Sequence, residues 1–133
     1  DLARSVRIAA VRRRLLVGRR PAMIETIYMP SALFPGLFRH RLNRSILQLW
    51  RRHYGVEVRR AEATILGGTL PPEDAEALGI EASTAGMRLT QVMFDTDGKP
   101  FAVDVQHWRS DIAEFTVNIE FPLDSTQKRS ARV

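Results

Sequence analysis

The feature that most restricts the fold is a pair of strand-turn-strand patterns with a shared layout. In the first, β-branched and apolar residues alternate with arginine from Val6 to Leu16, Val17-Gly18-Arg19-Arg20 supplies a turn before Pro21, and Met23 to Met29 alternates again. In the second, Met87 to Phe94 and Phe101 to Trp108 flank Asp95-Thr96-Asp97-Gly98, whose Asp-Gly step accepts the positive φ of a tight hairpin. Period-two alternation sends successive side chains to opposite faces, so each pattern predicts an antiparallel hairpin. Gly18-Arg19-Arg20-Pro21 matches Gly98-Lys99-Pro100 with one extra residue, and four positions past each proline stands a carboxylate, Glu25 and Asp104. Two related hairpins sharing a mostly antiparallel sheet, with helices laid on it, make an α+β arrangement.

The remaining segments fit around that sheet. Pro30, Pro35 and Gly36 interrupt the pattern and leave Leu33, Phe34, Leu37 and Phe38 to plug a loop into the core. Asn43 is placed to cap a helix from Arg44 to about Tyr54, with Ile46, Leu49, Trp50 and His53 on its inner face. Val56 to Leu66 reads as a third strand ending at Gly67-Gly68, and Pro71-Pro72-Glu73-Asp74 starts a short helix that runs through Leu78 and stops at Gly79. Phe115 to Phe121 alternates as a last strand, and Ser125 to Val133 is a polar, basic tail. With 133 residues, 44% of them hydrophobic, the chain suits one core and not two.

Composition removes several chemistries. Without cysteine there is no disulfide framework, thiolate metal site or cysteine nucleophile. His40, His53 and His107 lack companions at metal-ligand spacing, and neither a nucleophile elbow nor a phosphate-cradling glycine loop is present, so no catalytic residue, metal or cofactor is expected. No apolar run reaches the 18 or so residues of a membrane span, and no signal peptide precedes Asp1, which is the reading of a soluble cytoplasmic domain without a membrane partner. The chain opens mid-strand on Asp1, as expected of a fragment with something upstream cut away. Charge is lopsided: residues 1–60 hold fourteen arginines against Asp1, Glu25 and Glu57, whereas residues 61–133 hold six basic and twelve acidic groups. These arginines are not interleaved with aromatics and do not line a reading helix, which favours solvated faces and a contact between oppositely charged subunits over nucleic acid.

Glu25 shares its strand face with Met23, Ile27 and Met29, and an acid on an apolar face needs either an arginine partner or a ligand donor in a pocket. The neighbouring strand offers Arg12 and Arg14 on one face and Arg13 on the other. Two arginines at i, i+2 project together and can hold one phosphate or carboxylate through forked bonds. Ser45, near the start of the first helix, either adds a hydroxyl to such a site or caps the helix. Asp104 shares its face with Ala102, Gln106 and Trp108, a polar and aromatic surface that suits a small polar ligand and equally suits solvent.

Glu25-Thr26-Ile27-Tyr28-Met29-Pro30, Phe34-Pro35-Gly36-Leu37, Ser45-Ile46-Leu47, Tyr54-Gly55, Ala77-Leu78-Gly79-Ile80 and Asp95-Thr96-Asp97-Gly98-Lys99-Pro100 occur in an order that resembles the UTRA domain of HutC-type GntR transcription regulators, over about residues 2–121. The resemblance implies a chorismate-lyase-like α+β fold with a six-stranded antiparallel sheet, a homodimer, and a small anionic effector. It further implies operator DNA bound only through a preceding winged-helix domain that these residues do not contain, with an enzyme of the same fold as the alternative. Its effector contacts fall on Arg12, Arg14, Glu25, Tyr28, Ser45, Asp104 and Trp108. Counted from the turn glycine, the two strand arginines are Arg12 and Arg14; counted from Glu25 they become Arg13 and Leu15, and the first register is preferred because it keeps both positive groups.

Overall fold

Both predicted hairpins converge on one sheet in the computed structural model, which describes residues 6–123. Strands β1 (Ile8–Val17) and β2 (Arg20–Pro30) form the first hairpin, and β4 (Ala85–Phe94) and β5 (Pro100–Arg109) the second. With β3 (Arg60–Thr69) they make a five-stranded antiparallel sheet in the order β1-β2-β5-β4-β3. The two hairpins therefore meet at β2 and β5, the strands that carry Glu25 and Asp104. Gly18 (φ 64°) and Gly98 (φ 76°) occupy the left-handed region at the turns, which a side chain at either position would resist.

Each face of the sheet has its own cover. On one side lie a loop with two 3₁₀ turns and helix α1 (Ile46–Leu49), which widens into a π-helical turn over Trp50–Tyr54. The wider turn lets both Trp50 and Tyr54 reach Phe34, at ring separations of 5.3 and 5.2 Å, while Trp50 also meets Phe101 edge-on. Trp50 is fully buried with Ile27 and Met29 beneath it, each contributing on the order of 2 kcal/mol of apolar burial. On the other side α2 (Pro72–Leu78) lays Leu78 over Ile24 and Leu70, and Asp74 ties the helix to the sheet.

The structure corrects several expectations. The sheet has five strands and not six: Phe115 to Phe121 forms no strand and pairs with none of the described ones. The third strand starts later than the alternation implied because Val56 and Val58 pack against the core from a loop, and Gly67 and Gly68 belong to β3 instead of ending it. Of the four loop residues only Phe34 and Leu37 enter the core, whereas Leu33 and Phe38 face solvent. Ser45, not Asn43, caps α1, and His53 lies on the exposed side against His40. The tail from Ser125 to Val133 lies outside the described residues.

Candidate functional site

The register of β1 on β2 decides which arginine meets the acid. Arg13 stands directly opposite Glu25, while Arg12 faces Thr26 and Arg14 faces Ile24. Arg13 Nε donates to Glu25 Oε2 at 2.7 Å, and its Nη1 donates to the carbonyls of Leu42 and Arg44 at 3.1 and 2.7 Å. One guanidinium thus neutralises a buried carboxylate and fixes the loop that leads into α1. That loop delivers Asn43, Arg44 and Ser45 to the rim of a cleft of about 350 Å³, whose other walls are Arg13, Arg14, Leu15, Met23 and Glu25. Ser45 Oγ accepts from the Gln48 amide at 3.4 Å, which leaves its hydroxyl proton to donate into the cleft.

Behind Glu25 the second hairpin contributes a relay of polar side chains. Ile27 pairs with Asp104 and Glu25 with Gln106, so the two carboxylates lie diagonally across β2 and β5 on one face. Gln106 Nε2 donates to Asp104 Oδ2 at 2.6 Å, and Trp108 Nε1 donates to Gln106 Oε1 at 2.8 Å. Asp104 is 2% exposed, and its Oδ1 has no hydrogen-bond partner among the described residues. Burial, reinforced by the neighbouring Glu25 carboxylate, pushes Asp104 up to about 7. Near neutral pH the acid pair therefore retains a proton, and a proton on Asp104 turns an unpaired acceptor into a donor for Glu25.

The expected residues separate into three groups. Glu25 and Ser45 line the cleft, and Arg14 edges it, but Arg14 pairs with Ile24 and so shares the strand face of Arg12, not that of Glu25. Asp104 and Trp108 share the face of Glu25 and stand behind it. Arg12 and Tyr28 do not join them. Arg12 points to the other face, where its Nη2 donates to Asp74 Oδ1 at 2.6 Å, and Tyr28 follows the same parity and is exposed. The preferred arginine register is corrected accordingly: Arg13 and Leu15 occupy the face of Glu25, as the count from Glu25 gives. The extra residue between Gly18 and Pro21 misleads the count from the glycine, because the ladder shifts between Leu15 and Leu16, where Ala22 of β2 is left without a partner. Arg44, Asn43 and Gln106 were missed. Gln106 was legible from its shared strand face, whereas Asn43 and Arg44 are placed by a loop whose path no periodicity encodes. A larger hollow of about 440 Å³ opens on the opposite face beside Arg88 and His107. The smaller cleft is the better candidate, since the buried carboxylate, the serine hydroxyl and the guanidinium groups of Arg13 and Arg44 converge there. Among the described residues no group of three or more metal-ligating side chains occurs.

Comparison with known proteins fits this geometry. The model of the UTRA domain matches residues 1–114. A curated relative, the HTH-type transcriptional regulator Rv0792c of Mycobacterium tuberculosis, is 27% identical over 118 residues, which is 86% of this chain and 44% of that protein. The chain thus spans less than half of that relative's length. The effector domain of PhnF from Mycobacterium smegmatis superposes with a TM-score of 0.78 at 24% identity, over 86% of this chain and 70% of that one. A GntR-family transcriptional regulator from Enterococcus faecalis gives 0.76 at 20% identity, over 84% and 81% of the two chains. These relatives are transcription regulators or their effector domains, not enzymes. The sequence match over most of the chain, the antiparallel sheet with its few helices and the shared architecture lead to one conclusion: this chain belongs to the UTRA domain family.

Proposed function

We infer that this domain is the effector sensor of a GntR regulator of the HutC type, built on a chorismate-lyase-like fold, and that it binds a small anionic metabolite in the cleft between β1, β2 and the 43–45 loop. The observation that carries this reading is the cleft's charge: Arg13, Arg14 and Arg44 line it against Glu25 alone. Arg13 is already engaged by three acceptors and Arg14 projects to the face of Ile24, so Arg44 is the free guanidinium fork for a phosphate or carboxylate, with Ser45 as a neutral donor. Glu25, backed by Asp104, Gln106 and Trp108, takes the hydroxyl or amino groups of the same ligand.

No bond is made or broken in this scheme. Effector binding favours one arrangement of a homodimer, and a coupling of about 1–3 kcal/mol changes operator affinity roughly 5- to 150-fold through a DNA-binding domain outside these residues. An enzyme would require an activated group, and the pair Glu25–Asp104 is instead held by Arg13 and Gln106. The test is a thermal-shift and calorimetric screen of sugar phosphates, small carboxylates and amino-acid derivatives, repeated on Arg44→Ala, Ser45→Ala and Glu25→Gln. The reading expects a hit whose stabilisation these variants remove. A ligand that stabilises all three as much as the parent overturns the site.

A further inference from the structure

The outer side of α1 and the loop before it carry positive charge that no acid offsets. Residues 26–56 contain five arginines and two histidines and no carboxylate. Elsewhere the fold does bring acids to arginines: Arg12 meets Asp74, Arg13 meets Glu25, Arg60 meets Glu62, and Arg20 and Arg109 share Asp111. Among the described residues no such ion pair reaches residues 26–56.

Part of this charge surrounds a hollow of about 250 Å³, walled by His40, Arg41 and Arg44 from the loop and by Gln48, Arg52 and His53 from the helical segment. The π-helical turn builds the second wall. Its wider winding sets the residues four and five positions on from Gln48 to either side of it, so Arg52 and His53 both reach the hollow, where a 3.6-residue period would turn His53 away. Tyr54 steadies the first wall. Its hydroxyl donates to the Pro35 carbonyl at 2.9 Å, its ring stands edge-on to His40 at 5.8 Å, and His40 lies 4.4 Å from the His53 ring.

Three guanidinium groups and two imidazoles around one hollow repel one another, and an anion that accepts from several of them removes that repulsion. The two imidazoles alone would suit a metal cation, but the guanidinium groups beside them disfavour one. Sites for drug-sized ligands run to roughly 300–1,000 Å³, so this hollow has room for a phosphate group and little more. Arg44 and Ser45 also line the effector cleft. Because Arg13 fixes the carbonyls of Leu42 and Arg44, the part of this wall left to turn between the two pockets is the exposed Arg44 side chain.

We propose that this hollow is a second anion site, for a phosphate group, and that its occupant draws Arg44 away from the cleft. The site itself does not depend on what fills the cleft, whereas the competition rests on the effector cleft proposed above.

The test is a titration of the 133-residue chain with sodium phosphate, followed by NMR of the imidazole and backbone signals at an ionic strength held constant with chloride. Saturable shifts centred on His40, Gln48 and His53 are expected, with a Kd of about 1 mM or below. Arg41→Ala and Arg52→Ala, both at exposed positions, weaken binding about fivefold or more, whereas Arg19→Ala, which removes the same charge from the β1–β2 turn, changes it less than about twofold. Glycerol phosphate separates the two sources of the group: equal binding assigns the site to phosphate esters as well, and loss of binding assigns it to the free ion. Shifts that do not saturate, or that Arg19→Ala weakens as much as Arg52→Ala, overturn the site. A short DNA duplex that moves these signals where phosphate does not also overturns it, by making the patch a nucleic-acid contact. For the competition, a ligand found in the effector screen is expected to bind about threefold or more weakly at saturating phosphate, an effect that Arg52→Ala removes. Unchanged affinity, or a weakening that persists in Arg52→Ala, overturns the competition. A screen without a hit beside saturable phosphate shifts counts against the sensor cleft alone.

Discussion

Arg13 and Glu25 face each other across the β1–β2 pair, and their 2.7 Å bond joins a guanidinium that is still partly open to water to a carboxylate that is not. Removing the arginine strands a charge beside the raised acid Asp104, whereas removing both partners leaves an apolar face that neighbouring Met23 and Ile27 can accept. Arg13→Met is expected to cost roughly 2–4 kcal/mol in urea unfolding, and Arg13→Met with Glu25→Leu to lie within about 1 kcal/mol of the parent. A single variant no worse than the double would show that the pair carries no such desolvation burden.

Asp104 sets a pH dependence of a definite sign. Its folded-state pKa of about 7 lies above the 3.8 of the unfolded chain, so between those values the folded form binds more protons and stability falls as pH rises. The penalty is absent below about pH 4 and complete above about pH 7. Asp104→Asn keeps the bond from Gln106 and removes the titration. The parent is expected to lose roughly 2–4 kcal/mol relative to the asparagine variant between pH 4 and 8, read from unfolding midpoints at each pH. Parallel curves for the two proteins would refute the assignment.

The two hairpins were legible because alternation and turn chemistry are local, and Glu25 stood out as an acid among Met23, Ile27 and Met29. Which arginine serves it was not, since an unpaired Ala22 in β2 next to the turn shifts every count made from Gly18. The first helix was drawn too regular for a related reason. Trp50 and Tyr54 both pack on Phe34, and that tertiary demand opens the backbone into a π-helical turn that no 3.6-residue period foretells. The alternation of Phe115 to Phe121 reads as a strand, yet the segment forms none, because alternation fixes which side chains share a face and supplies no pairing partner.

Arg12 and Arg44 separate structure from sensing. Asp74 accepts from Arg12 and engages His107 Nδ1, which pins α2 to the sheet on the face away from the cleft. Asp74→Ala leaves both partners without their acceptor and is expected to cost about 1–3 kcal/mol of stability. Arg12→Ala is expected to shift effector affinity by less than about twofold, whereas Arg44→Ala weakens it about tenfold or more. Equal losses at Arg12 and Arg44 would return the ligand to the opposite face.

Gly86 is fixed by close approach instead of by backbone angle. It is buried where β4 begins, opposite Arg109 on β5, and a methyl group there would lie 2.6 Å from the Leu70 side chain and 2.7 Å from the Trp108 carbonyl oxygen. Leu70 can rotate away at the expense of its packing on Leu78 and Ile24, but the carbonyl belongs to the ladder and moves only with β5. Gly86→Ala is therefore expected to destabilise by roughly 1–3 kcal/mol, as overpacking does elsewhere, while Gly67→Ala, whose added carbon meets nothing within 4 Å, is close to neutral. Because Trp108 ends the relay from Asp104, a strand shift at Gly86 should also quench or redshift the Trp108 emission, isolated in a Trp50→Phe background. Unchanged emission together with parent-like stability would show that β5 does not feel the clash.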